Sequence, residues 1–176
     1  MKTLSIAAIA MMTLHVVKAQ ERGGISAFGG YSASYEIFDP VRHGWNVSVA
    51  GNVMKHLAIV GEFSGHSRKT SYGDYSDYTF LCGPQYVHRI GGISLFAHAL
   101  FGLYHLKKNS AGFFGGYRQT KINMFALASG GGMDIHINRR LSARIFQVDL
   151  VGSSDRHRGY GRVSAGVVIN LTHRKD

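Results

Sequence analysis

The sequence predicts an all-β chain: an eight-stranded antiparallel up-and-down transmembrane β-barrel that follows a cleaved signal peptide. Three observations carry that reading. Apolar and polar residues alternate with a period of two over segments of about ten residues, the length a tilted membrane-spanning strand needs. Glycine is abundant at 23 residues and proline scarce at 2, which suits short strands joined by tight turns and excludes a Pro-rich linker. The connections between the segments alternate between short and long, as at the two rims of a membrane barrel.

The first strand is predicted over about 24–35, with Ile25, Ala27, Tyr31 and Tyr35 on one face and Ser26, Ser32 and Ser34 on the other. The second, about 44–53, is the plainest: Trp45, Val47, Val49 and Val53 against Asn46, Ser48 and Asn52. The third, about 57–67, sets Leu57, Ile59 and Phe63 against Glu62, Ser64 and His66. The fourth, about 77–88, sets Tyr78, Phe80, Cys82 and Tyr86 against Thr79, Gly83 and Gln85, with a bulge expected at Pro84, which cannot donate to a ladder. The fifth, about 94–105, is the most apolar: Leu95, Ala97, Ala99, Phe101 and Leu103 against Phe96, His98 and Gly102.

The sixth strand, about 121–135, places Phe125, Leu127, Met133 and Ile135 opposite Ala126, Ala128, Gly130, Gly132 and Asp134. Its Gly130-Gly131-Gly132 run lacks the Lys and Ser/Thr that complete a phosphate loop, so it marks close packing or bending. The seventh, about 141–151, has a parity fault: Arg144 and Asp149 reach one face only if an extra residue lies between them, which predicts a bulge. The eighth, about 161–171, sets Val163, Ala165, Val167, Ile169 and Leu171 against Ser164, Gly166 and Asn170.

Short connections are expected at 54–56, 89–93 and 136–140, and long polar ones at 36–43, 68–76, 106–120 and 152–160. Tyr35, Trp45, Tyr78, Tyr104 and Tyr160 lie where strands meet the long connections, where amphipathic rings suit a membrane interface.

Ahead of the barrel, residues 1–19 have the form of a secretory signal: Lys2, an apolar run from Leu4 to Leu14, and Val17-Lys18-Ala19 before a cut at Gln20. The mature domain is then 20–176. Removing Lys2 and Lys18 lowers Lys+Arg from 20 to 18 against 10 Asp+Glu, a formal charge of +8. That favours anionic surroundings such as the phosphates of outer-membrane lipids and lipopolysaccharide, and an exported chain has no nucleic acid to meet. Cys82 is the lone cysteine and forms no intramolecular disulfide.

The face turned inward decides between a membrane barrel and a soluble lipocalin-like carrier, which reverses the faces. The polar faces carry Ser, Asn, Gly and His rather than the Lys and Glu of a solvated surface, so they are assigned to the lumen. Glu62, His98, Asp134 and Arg144 are expected to share it, and buried charges must pair, so a hydrogen-bonded plug is expected. The basic residues Arg68, Lys69, Lys107, Lys108, Arg118, Lys121, Arg156 and Arg158 are expected at the outer rim, where they suit lipid phosphates.

Catalysis has one candidate group, Glu62, His66 and Ser67, of the kind a lipid-A-modifying barrel enzyme needs. Adjacent residues on a strand face opposite ways, so His66 and Ser67 do not meet there. The 10 histidines show no metal-ligand spacing, and no cofactor is implied.

Three stretches, Gly44–Asn52, Phe96–Gly102 and Gly130–Asp134, resemble the small outer-membrane β-barrel family, the OmpA/OmpX-like group of about eight strands. The resemblance covers about residues 23–171. Ser164–Leu171 is similar to that family's C-terminal insertion signal, with Leu171 where an aromatic residue is usual and Thr172–Asp176 beyond it. It implies recognition by the barrel-assembly machinery. The peptidoglycan-binding domain of longer OmpA-like proteins is not found in the sequence. The expected role is that of a monomeric, non-enzymatic outer-membrane protein, structural or engaged in surface interactions. A weak channel or carrier for a small or hydrophobic ligand is the alternative.

Overall fold

In a computed structural model, which describes residues 24–36, 39–70, 73–111, 117–154 and 159–172, the chain forms eight strands and closes into a barrel. They are β1 (Ile25–Glu36), β2 (Asp39–Asn52), β3 (Leu57–Thr70), β4 (Gly73–Ile90), β5 (Ile93–Ala111), β6 (Tyr117–His136), β7 (Leu141–Ser153) and β8 (Gly159–Asn170). Each pairs antiparallel with its neighbours in the sequence, and β1 pairs with β8 from Ser26↔Asn170 to Tyr35↔Gly161, so the barrel has no edge at this level. Closure pairs the strands' backbone groups with one another around the whole barrel, which a spanning sheet in lipid requires.

The alternation sorts the side chains as the sequence reading expects. Tyr31, Val47, Ile59, Phe80, Phe101, Leu127, Leu150 and Val167 are exposed on the outer wall, whereas Ser32, Asn46, Glu62, Ser64, Gln85 and Ser164 are buried inside. On β5 the outward apolar residues run from Ile93 to Leu103. At ~3.3 Å per residue and a tilt near 40°, that stretch is about 25 Å high, the height of the apolar band of a membrane barrel.

Above that band the strands go on. The long connections expected at 36–43, 68–76 and 106–120 are mostly strand: β1 and β2 leave only 37–38 between them, β3 and β4 only 71–72, and β5 and β6 only 112–116. No regular hydrophobic alternation marks these residues, while the backbone ladder continues through them. The other rim has tight turns. β4 and β5 are joined by Gly91-Gly92, and Gly91 has φ +56°, a left-handed conformation that glycine adopts freely.

Two local irregularities follow from the sequence. In β7, the register against β8 shifts between Arg144 and Gln147. Ile145 and Phe146 therefore both face out, while Arg144, Gln147 and Asp149 all face in. Pro84, by contrast, causes no bulge. The β4–β5 register is the same on both sides, Cys82↔Phe101 and Gln85↔His98, and only the pairs between them are missing. Both missing pairs depend on a hydrogen bond from residue 84 to the Ala99 carbonyl, and proline has no N–H to give.

Tyr104 and Tyr160, expected at the membrane interface, lie inside the barrel, each about as buried as the aliphatic core. Their positions share the parity of His98 and Arg162, which sends them inward. Tyr35, Trp45 and Tyr78 do face outward. Tyr35 lies over Gly161, where an added Cβ would fall 2.2 Å from its ring.

Candidate functional site

The interior is built from two unlike halves. One is an apolar cluster in the upper lumen, contributed mainly by β4 to β7: Leu81, Leu100, Tyr104, Leu106, Met124 and Val151. The other is a chain of polar side chains that runs from the outer rim to the inner mouth.

At the outer rim Arg42 pairs with Glu36 and, through Nη1, with Asp77 Oδ2 at 3.3 Å. Asp77 Oδ1 meets His66 Nδ1 at 3.2 Å, and His66 Nε2 lies 3.0 Å from Ser32 Oγ. Ser164 Oγ donates to Ser32 Oγ at 3.0 Å, and the Asn46 amide donates to Ser164 Oγ at 3.4 Å and to Glu62 Oε2 at 3.2 Å.

Arg162 is the hub at mid-height, with a fully buried side chain. Its Nε and Nη2 donate to Asp149 Oδ2 at 3.0 and 2.6 Å, its Nη1 donates to Ser64 Oγ at 2.9 Å, and its Nη2 also pairs with Glu62. Gln147 ties the two carboxylates together, donating to Glu62 Oε2 at 3.0 Å and to Asp149 Oδ2 at 2.9 Å. His98 Nε2 meets Asp149 Oδ1 at 2.8 Å. A planar, permanently charged guanidinium with five donors is the side chain best fitted to hold two carboxylates in so dry a place.

Arg144 closes the inner end. Its Nε and Nη2 grip Asp134 at 2.8 and 3.1 Å, and its Nη1 donates to Gln147 Oε1 at 2.6 Å. Its guanidinium lies 4.3 Å from the ring centroids of both Phe28 and Phe96, a cation–π sandwich across the lumen. Below it, His136 bridges Ser94 and Ser142 at 2.7 and 2.8 Å.

The four residues expected to share the lumen, Glu62, His98, Asp134 and Arg144, all project into it, but only Asp134 and Arg144 touch directly. Glu62 and His98 are joined through Arg162, Gln147 and Asp149. Arg162 was missed as a lumen residue, although it has the parity of Ser164 on the same strand.

His66 and Ser67 diverge as expected. His66 is buried against Ser32 and Asp77, and Ser67 is exposed on the outer wall, so Glu62, His66 and Ser67 form no nucleophile-and-base arrangement. Among the described residues, no group of three or more His, Cys, Asp or Glu is placed to hold a metal ion.

Of the expected basic rim, Lys107 is half-buried with its Nζ 5.7 Å from the Tyr78 ring centroid, and Arg68 is half-buried near the end of β3. The backbones of Lys69, Lys108, Arg118 and Lys121 lie in β3, β5 and β6, but their side chains lie outside the described residues, as do Arg156 and Arg158 entirely.

A closed eight-stranded barrel that is apolar around its waist and holds a charged, hydrogen-bonded network within has the architecture of the small outer-membrane barrels. Solved structures of that class share the fold. Ail, the attachment invasion locus protein of Yersinia pestis, aligns over 85% of this chain and 97% of its own, with 18% identity and a TM-score of 0.59. Neisserial surface protein A aligns over 85% and 97%, with 11% identity and a TM-score of 0.63. The N-terminal β-barrel domain of Pseudomonas aeruginosa OprF aligns over 85% and 100%, with 14% identity and a TM-score of 0.52. Ail has also been solved in complex with the heparin analogue sucrose octasulfate. At these identities the likeness is one of fold. No protein-family model and no curated protein matches the chain.

Proposed function

We propose that this protein is a closed outer-membrane barrel of a Gram-negative envelope, exported by residues 1–19, with a structural or surface-interaction role and no enzymatic activity. The observation that carries this reading is the filled lumen. The polar chain from Glu36 to Asp134 and the apolar cluster beside it occupy the interior, so the barrel serves as a wall and a support, and its chemistry is left to the outer rim.

That rim is basic. Lys107, with Arg68, Lys69, Lys108, Arg156 and Arg158, offers cations to lipid phosphates and to lipopolysaccharide. The Ail complex with a sulfated ligand supports polyanion binding on this architecture. The chain acts as a monomer and enters the membrane through the assembly machinery, which reads Ser164–Leu171.

Two measurements test the proposal. In planar bilayers the purified protein is expected to give no conductance steps above the lipid background. Lipopolysaccharide is expected to co-purify with it at low salt, and reversing the charge of Arg156 and Arg158 is expected to reduce the amount retained. Discrete conductance would favour a channel instead, and lipopolysaccharide binding indifferent to these charges would remove the rim's role.

A further inference from the structure

The short-turn rim of the barrel carries charge of one sign. It is formed by the start of β1, the turn 53–56, the turn Gly91-Gly92, the turn 137–140 and the end of β8. Lys55, Arg89, Arg139 and Arg140 are all exposed on it. Residues 52–57, 88–93, 136–141 and 170–172 include no Asp or Glu. Asp134, at the inner mouth, is already held by Arg144 at 2.8 and 3.1 Å. Among the described residues no carboxylate pairs with Lys55, Arg139 or Arg140.

The turns hold these cations in place. Arg89 Nη1 donates to the Lys55 carbonyl at 3.1 Å, which ties the end of β4 to the β2–β3 turn. Asn138 Oδ1 accepts from the backbone N–H groups of Arg140 and Leu141, both at 2.8 Å, and so fixes the turn that displays Arg139 and Arg140. The Arg140 carbonyl accepts from the Asn170 N–H at 2.8 Å, which moors that turn to the end of β8.

Apolar side chains stand among the cations. Met54 adjoins Lys55, Ile90 adjoins Arg89, and Ile137 lies two residues before Arg139; all three are more than half exposed, as is Leu171. Such exposure is unfavourable in water and costs nothing against acyl chains. Arg140 also lines a shallow groove with Ile169, Asn170 and Leu171, so a cation and two outward apolar side chains border one depression.

That combination matches the two ends of a phospholipid. A guanidinium takes a phosphate through two parallel hydrogen bonds, and the apolar wall takes a chain. A rim without carboxylates has nothing to offer the ammonium of a zwitterionic head group, so an anionic head group is favoured. In an outer membrane the leaflet at this rim is phospholipid, with lipopolysaccharide in the other.

We infer that the Arg139–Arg140 turn and its groove bind an anionic phospholipid of the inner leaflet, with the phosphate on the arginines and an acyl chain along Ile169 and Leu171. The site is separate from the outer rim, rests on the membrane-barrel reading above, and anchors the barrel from the side that lipopolysaccharide does not reach.

The test uses the full chain, refolded in a non-ionic detergent and titrated with phosphatidylglycerol, which is anionic, or phosphatidylethanolamine, which is zwitterionic. Bound lipids are counted by native mass spectrometry. Phosphatidylglycerol is expected to be retained in preference. Arg140→Gln is expected to weaken its retention about fivefold, and Arg139→Gln with Arg140→Gln more than about tenfold. Ile169→Ser, which removes apolar wall and no charge, is expected to weaken it severalfold. The unboiled gel mobility of each variant is expected to be unchanged.

Four results would overturn the inference: equal retention of phosphatidylethanolamine, undiminished retention by the double arginine variant, displacement by an equal concentration of inorganic phosphate, or displacement by soluble polyglutamate, which would point to an acidic polymer. A folded barrel that retains lipopolysaccharide but shows no preference for phosphatidylglycerol overturns the inner site and leaves the proposed function standing. A chain that stays soluble and binds neither lipid overturns the membrane reading itself.

Discussion

Replacing Arg162 with methionine probes the lumen at its most connected point. The substitution keeps a long, flexible, apolar side chain of similar reach and removes every donor. Two carboxylates, Glu62 and Asp149, then lose their common cation in a site where all three side chains are almost wholly buried. Removing one partner of a buried ion pair costs about 3–5 kcal/mol.

The remaining partners place Arg162→Met within that range. Glu62 keeps the amides of Asn46 at 3.2 Å and Gln147 at 3.0 Å, and Asp149 keeps Gln147 at 2.9 Å and His98 at 2.8 Å. Each carboxylate retains two neutral or histidine contacts, so the expected loss is near the lower end, about 3 kcal/mol. The assay is reversible urea unfolding in detergent micelles, followed by the fluorescence of Trp45, the only tryptophan. Adding Glu62→Gln and Asp149→Asn to Arg162→Met removes the stranded charges and is expected to restore more than half of the loss. A single variant within about 0.5 kcal/mol of the parent would refute the reasoning, because surface changes of no structural consequence fall in that range.

Two further substitutions follow from the same geometry. Arg144→Met is expected to cost less, about 2 kcal/mol, because Asp134 is at the inner mouth and partly solvated once its partner is lost. A cost equal to that of Arg162→Met would contradict this ranking. Gly130→Ala would put a Cβ 2.1 Å from Asp149 Oδ1 and 2.3 Å from the Val148 carbonyl oxygen, whereas nothing lies within 4 Å of a Cβ at Gly61. The first is expected to destabilise by about 1–3 kcal/mol and Gly61→Ala to change stability by less than about 0.5 kcal/mol, with urea midpoints that separate accordingly.

The waist of the barrel was legible because lipid outside and a polar lumen inside impose opposite demands on alternate residues. Trp45, Val47 and Val49 against Asn46 and Ser48 mark a two-faced strand, and the small polar residues of the second face, in place of Lys and Glu, assign it to the lumen. The parity fault between Arg144 and Asp149 was legible for the same reason: two charged residues at odd spacing cannot both escape lipid without an inserted residue, and Ile145 and Phe146 both face out to accommodate it. The extension of the strands above the apolar band was not legible. Gly73–Asp77 and Lys107–Ser110 carry no alternation of apolar and polar residues, so nothing in the sequence there signals a strand.

The apolar half of the lumen escaped for the opposite reason. On β5 both faces are apolar, with Leu95 and Phe101 outside and Leu100 and Leu106 inside, so hydrophobicity carries no directional signal and parity alone assigns them. Arg162 was legible in parity but not in role. A strand pattern gives a residue its face, and it says nothing of Glu62, a hundred residues earlier, across the barrel.

The central claim is a closed barrel whose apolar wall faces lipid. The direct measurement is the mobility of the protein, extracted from the outer-membrane fraction, on a detergent gel with and without boiling. A closed barrel resists the detergent until boiled, so two distinct bands are expected. A soluble protein whose mobility is the same in both lanes would contradict the account and turn every strand face around.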